Sequence, residues 1–147
     1  MFWILKKFDE LLPHELYAIM QLRNEVFVVE QNCVYQDADN KDTGSYHYMC
    51  WSDNEKLLAY TRILPPGIAY AEPSIGRVVT SPSARKTGLG RELMEKSIEQ
   101  VKKLFGTIPI KIGAQVYLLT FYTSLGFQQT GAIYLEDNIE HVEMVLH

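Results

Sequence analysis

Apolar positions along this chain change period several times, and each change marks an element. Trp3 to Phe8 alternates like a first strand. After Pro13, Leu16, Ile19, Met20, Arg23 and Phe27 share one face at helical spacing, and proline suits a first turn because its missing N–H has no partner there anyway. Val26-Phe27-Val28-Val29 stays open between strand, for its β-branched residues, and continued helix. Asn32 to Ser45 is polar and reads as a loop. Tyr46–Ser52 and Leu57–Leu64 read as a hairpin around Asp53-Asn54-Glu55, stopped by Pro65-Pro66-Gly67. Ile75–Thr80 is a further β-branched strand, with Pro82 at its exit.

The second half continues the alternation. Leu89, Leu93, Ser97, Ile98, Val101 and Leu104 form a helical stripe, and Gly106 is placed to cap it. Ile108–Ala114 predicts a short strand, and Val116–Leu125 a helix closed by Gly126. Phe127–Leu135 and Glu140–His147 predict an antiparallel pair turning at Glu136-Asp137-Asn138. Strands and helices mixed in this way imply one α/β (α+β) layered domain over residues 1–147.

Composition adds limits. The 147 residues suffice for one self-supporting core. The net charge of -4, with no polybasic run, gives no electrostatic case for nucleic acid. No apolar run reaches the length of a membrane span, and the five apolar residues before Lys6 are too few for a signal-peptide core, so a cytoplasmic, membrane-free protein is expected. Cys33 and Cys50 lie in no CxxC pair and are expected as reduced thiols, the alternatives being a disulfide or a nucleophilic role for Cys33. No histidine cluster stands at ligand spacing, and Asp37, Asp39 and Asp42 do not make a calcium loop, whose final position would fall on Tyr48 rather than Glu. No metal is expected.

The chemistry concentrates where Ile75–Thr80 leads into the helix near Gly88. A helix's first turn leaves backbone N–H groups without partners, and these donors with the helix dipole suit a pyrophosphate. Gly88 and Gly90 clear the approach to the backbone, and Arg85 and Lys86 add charge. Other phosphate loops do not fit: Gly90 is followed by Arg91-Glu92 rather than Lys-Ser/Thr, and Leu93 stands where a dinucleotide loop needs a small residue.

Val79 to Gly90 resembles the acyl-CoA-binding motif of the GNAT superfamily of N-acyltransferases, a strand followed by [RQ]xxGx[GA] at a helix head. Phe121-Tyr122-Thr123-Ser124-Leu125-Gly126-Phe127 resembles the superfamily's second motif, FYxxxGF, at the matching spacing. Leu22–Gln31, Tyr35-Gln36-Asp37, Arg62–Pro66, Ile75–Val79 and Tyr134–His141 are similar to the ElaA-like branch, so the resemblance covers most of the chain. It implies a central, mostly antiparallel sheet of about six or seven strands flanked by about four helices. It also implies acetyl-CoA as donor and a small-molecule or protein amine as acceptor.

The resemblance places backbone groups of Val79 and Thr80 against the pantetheine and thioester. It places amides from Lys86, Thr87, Gly88, Leu89 and Gly90, with Arg91, around the pyrophosphate, and Arg85 at the motif's first position. Gln115 stands where asparagine is common. Tyr122 matches a tyrosine near the thioester sulfur, and a phenol can protonate a departing thiolate. Glu30 and His141 are candidates for the base; the plain alternatives are an ion pair for Glu30 and a neighbour-bonded strand histidine for His141. His47 reads as structural. Arg23, Arg62 and Arg77 sit among apolar neighbours, where each would pair with a carboxylate or hold an acidic acceptor. The runner-up function is a non-catalytic acyl-CoA-binding or sensor module; a homodimer is a possible assembly.

Overall fold

The computed structural model describes Met1–His147. Its strands are β1 (Phe2–Lys7), β2 (Tyr46–Trp51), β3 (Leu57–Leu64), β4 (Ser74–Thr80), β5 (Ile110–Gln115), β6 (Gln128–Gln129), β7 (Tyr134–Glu136) and β8 (Ile139–Leu146). The α-helices are α1 (Pro13–Arg23), α2 (Leu89–Phe105) and α3 (Leu119–Ser124). The expected α/β class holds, with one change of detail. The strands form two four-stranded antiparallel sheets rather than one continuous sheet: β1-β2-β3-β4, and β5-β8-β6 with β7 also paired to β8.

Strand alternation explains how the first sheet is covered on both faces. Tyr48, Cys50, Ala59, Ile63 and Ile75 face one core, shared with Leu93, Met94, Ile98 and Val101 of α2. Met49, Trp51, Leu57, Tyr60 and Val79 face the other, shared with Ile19 and Leu22 of α1 and with Val26 and Phe27. Ser97, the polar member of the α2 stripe, is fully buried and exchanges a hydrogen bond of 2.8 Å with Thr61 Oγ1 on β3. Gly106 closes α2 at φ 88.

The ambiguous Val26–Val29 segment is helical. Asn24–Glu30 continues α1 as a π-helix, so about four separate helices become three α-helices, the first with a wide extension. The expected strand Phe127–Leu135 divides into β6 and β7, which pair with opposite ends of the same edge of β8. Asp137 and Asn138 both take positive φ, 51 and 63, forming a tight hairpin turn at the expected place.

β4 and β5 lie side by side without a ladder. Lys111 N–H donates to Pro73 C=O at 3.1 Å where the two strands begin, and no further strand pairing joins the sheets. A bulge drives them apart: Val79 pairs with Tyr60 and Gly76 with Arg62, so Arg77 and Val78 together oppose Thr61. Arg77 takes φ 48 there. Bulges sharpen the twist of a strand, and the widening gap between β4 and β5 is the cleft of the molecule.

Candidate active site

The cleft has a volume of about 930 Å³ and is lined by residues of β4, β5, β8, α3, the π-helix and the head of α2. It brings together Glu30, Val79, Thr80, Arg85, Gly90, Gln115, Tyr122 and His141 from the residues expected in the site. Gly88 and Arg91 lie in an adjoining shallow groove along α2.

At the head of α2 the chain turns through two left-handed positions, Lys86 at φ 63 and Gly88 at φ 82. The first backbone bond of the helix runs from Glu92 N–H to Gly88 C=O, at 3.2 Å. The six N–H groups from Lys86 to Arg91 therefore have no backbone acceptor. Such a run of free donors is a concave anion cradle. No atom lies within 4 Å of where a Cβ on Gly88 would be, and Gly90 would meet only the Thr80 methyl at 3.9 Å. The approach to the amides is open. Thr87 and Leu89 enter only through these amides: the Thr87 hydroxyl donates to Ala84 C=O at 2.6 Å, and the Leu89 side chain is in the core. Arg91 ties α2 to α3 by donating to Ser124 Oγ at 2.9 Å.

β4 lines the cleft as an edge strand. Ser81 N–H bonds to Leu58 C=O at 2.7 Å, which sets the alternation of the ladder. Val79, two residues back and paired with Tyr60, turns its polar backbone toward β3 in the same way. By the same alternation the backbone groups of Thr80 and Val78 turn outward to the cleft. The expectation that Val79 presents backbone donors to the cleft is thus corrected by register; its neighbours do so.

Tyr122 is buried, with its ring edge-on to Phe121 and Phe127 at centroid distances of 5.2 and 5.9 Å. Burial pushes its phenol above the usual tyrosine range, so it stays protonated. Gln115, at the end of β5, pairs across the ladder with His141 on β8. His141 has one ring nitrogen, Nδ1, 2.7 Å from Ile139 C=O, and its ring stacks on Tyr134. With Nδ1–H donated to that carbonyl, the second ring nitrogen, Nε2, stands 3.5 Å from Glu136 Oε2. Tyr134 and Glu136 are the parts of this corner that the sequence did not single out. Tyr134 and Tyr70 press their hydroxyls over Gly113, where a Cβ would come within 2.7 and 3.0 Å of them.

Glu30 ends the π-helix and takes both terminal nitrogens of Arg85 in an exposed pair. The hydrogen bonds from Arg85 hold its carboxyl below the usual carboxylate range. The ion-pair alternative for Glu30 is the arrangement found.

The three isolated arginines find the three loop aspartates. Arg23, fully buried, bonds Asp37 through Nε at 2.6 Å and Asp42 through Nη1 at 2.7 Å. Arg62 grips Asp39 with both terminal nitrogens, at 2.7 and 2.9 Å, and reaches Asp42 at 3.0 Å. Arg77 donates through Nη2 to Asp37 C=O and Asp39 Oδ2 at 3.1 and 3.3 Å. Burial opposes charge on Asp39, but the Arg62 hydrogen bonds prevail and hold its carboxyl well below the usual range. His47 is structural, between Tyr60 Oη at 2.7 Å and Asp42 C=O at 2.9 Å.

A profile of the acetyltransferase (GNAT) domain matches residues 15–147. The chain belongs to the GNAT acetyltransferase family. ElaA of Escherichia coli is 42% identical over 137 residues, covering 92% of this chain and 90% of ElaA. The crystal structure of E. coli ElaA superposes with a TM-score of 0.91 over the full length of both chains. The structure of an acyl-CoA N-acyltransferase from Pseudomonas aeruginosa reaches a TM-score of 0.94 at 41% identity, again over both full chains. An aminoglycoside 6'-N-acetyltransferase complexed with coenzyme A shares the fold, at a TM-score of 0.69 and 17% identity, covering 97% of this chain and 95% of that one. No helix of this GNAT protein is long and apolar enough to cross a membrane.

Proposed function

We propose that this protein transfers an acetyl or other short acyl group from acyl-CoA to a primary amine by direct attack on the thioester. The observation that carries this reading is the run of unpartnered N–H groups from Lys86 to Arg91, opening beside a cleft that also holds Tyr122 and His141. The free amides and Arg85 suit the pyrophosphate of coenzyme A. The pantetheine then lies along the outward backbone of β4 and near the Gln115 amide, with the thioester toward Tyr122. The CoA complex of the more distant aminoglycoside acetyltransferase supports this donor.

In this reading His141 Nε2 takes a proton from the acceptor's ammonium, directly or through a water. The freed nitrogen attacks the thioester carbonyl carbon. Outward N–H groups at the β4 bulge stabilise the negative charge that develops on oxygen. The C–S bond breaks, Tyr122 gives its proton to the departing thiolate, and the phenolate regains one from the nitrogen of the new C–N bond, directly or through a water; His141 releases its proton to solvent. The products are an amide and free coenzyme A. Because the thioester is already activated, most of the rate gain comes from orientation and charge handling. Glu30, held by Arg85, acts on donor binding rather than as the base.

Calorimetry with acetyl-CoA, followed by thiol release against a broad amine panel, tests the reading. Heat on binding and thiol that appears only with an amine are expected. Binding without turnover on any amine would leave the sensor reading, and no binding would remove both.

A further inference from the structure

The acceptor end of the cleft carries two opposed chemistries. On one wall stand the Glu136 carboxylate and His141, on the β7–β8 hairpin. On the other stand Arg62 and Arg77, on β3 and β4. The three arginines and three aspartates of the buried cluster balance in charge, but the hydrogen-bonding nitrogens are not all used. Arg23 uses all three of its nitrogens, and Arg62 both of its terminal ones. Arg77 uses Nη2, while its Nη1 bonds no protein atom. Among the three arginines, Arg77 is the one whose side chain retains real exposure, 24% against 0% and 4% for Arg23 and Arg62; Asp39 beside it keeps 22%.

Its backbone is unusual in the same place. Arg77 holds φ 48 in the bulge, a left-handed conformation that a long side chain rarely adopts within a strand. A glycine would take that angle without strain. The bulge re-aims the residue, and Asp37, Asp39 and the Tyr35 ring, 5.9 Å below the guanidinium, hold it in place. A fixed guanidinium with a free edge in a cleft is a carboxylate receptor.

We infer that the acceptor is an amine that also bears a carboxylate: the ammonium sits at His141 and Glu136, and the carboxylate on the free edge of Arg77. This rests on the transferase reading above and names its substrate class. Decarboxylated amines would leave the Arg77 edge unpaired, and simple acids would leave Glu136 without its cation.

The test uses the wild-type protein with amino acids of differing chain length, each matched with its methyl ester and its decarboxylated amine. The two controls bracket the change in amine basicity that removing the carboxylate causes. Thiol release from acetyl-CoA gives KM for each, and calorimetry on protein saturated with free coenzyme A gives binding without turnover. The free acid is expected to be favoured by about ten- to a hundredfold, the range of one charge-assisted contact. Arg77→Met should abolish that preference, read as the ratio of acid to ester within the variant; Arg77→Lys should restore part of it. Acid-selective binding without turnover would support this inference and sink the transferase reading. Turnover with no preference for the acid would overturn the inference alone, as would an absence of acid-selective binding throughout.

Discussion

Arg85 and Glu30 hold each other across the mouth of the cleft, one at the head of α2 and the other at the end of the π-helix. The pair joins the anion cradle to the end of the π-helix that lines the cleft. It also places a negative charge beside the site proposed for a pyrophosphate. Glu30→Gln should therefore tighten acetyl-CoA binding by a few-fold at low salt, with the gain fading as salt screens it, and should change kcat little. Isothermal titration at two ionic strengths checks this; a large fall in kcat with unchanged binding would return Glu30 to the role of base.

Tyr122→Phe keeps the ring that packs on Phe121 and Phe127 and removes only the hydroxyl. The expected result is an unchanged melting temperature, an unchanged KM for acetyl-CoA and a kcat lower by about a hundredfold or more, the range of general-acid contributions. An unaltered kcat would take Tyr122 out of the acid role.

His141→Gln keeps a polar side chain on β8 but removes the imidazole that faces Glu136. The rate should fall by about a hundredfold, while the heat of acetyl-CoA binding stays unchanged. A mutant that keeps the wild-type kcat would show that another group takes the proton.

Asp42 is shared by Arg23 and Arg62, both buried. Asp42→Asn leaves two arginines with one fewer charge to meet, and breaking a buried pair from one side costs about 3–5 kcal/mol. A drop in melting temperature of about 10 °C or more is expected, read by calorimetry.

Stability should fall in two stages as pH drops. Burial, aided by the charges of Arg23 and Arg62, holds the folded His47 below the usual histidine range. The unfolded chain therefore takes up that proton first, and stability declines as pH falls below about 6.5. Asp39 and Asp42 are held below the usual carboxylate range by Arg62 and Arg23 against the opposing effect of burial. Their contribution is complete above about pH 4 and is lost as pH falls through the depressed folded values. Urea midpoints between pH 3 and 8 should show both stages, and His47→Gln should remove the upper one.

Much of this protein is legible in local pattern. The α2 stripe, the Gly106 cap, the β2–β3 hairpin and the cradle from Lys86 to Gly90 follow from periodicity, from glycine's freedom at positive φ and from the unpaired donors of a helix head. These causes act within a few residues of one another, so the sequence by itself determines them. Tertiary structure decided the rest. Whether Val26–Val29 became strand or helix depended on the apolar face it shares with Met49 and Tyr60. That Arg23, Arg62 and Arg77 would meet Asp37, Asp39 and Asp42 depended on a loop folding back over β3, β4 and the end of α1, across 14 to 40 residues of chain. Val79 turns its N–H to Tyr60 because of ladder register, which its own sequence does not encode. Periodicity specifies which face of an element is buried; only the packed chain specifies which groups that burial brings together.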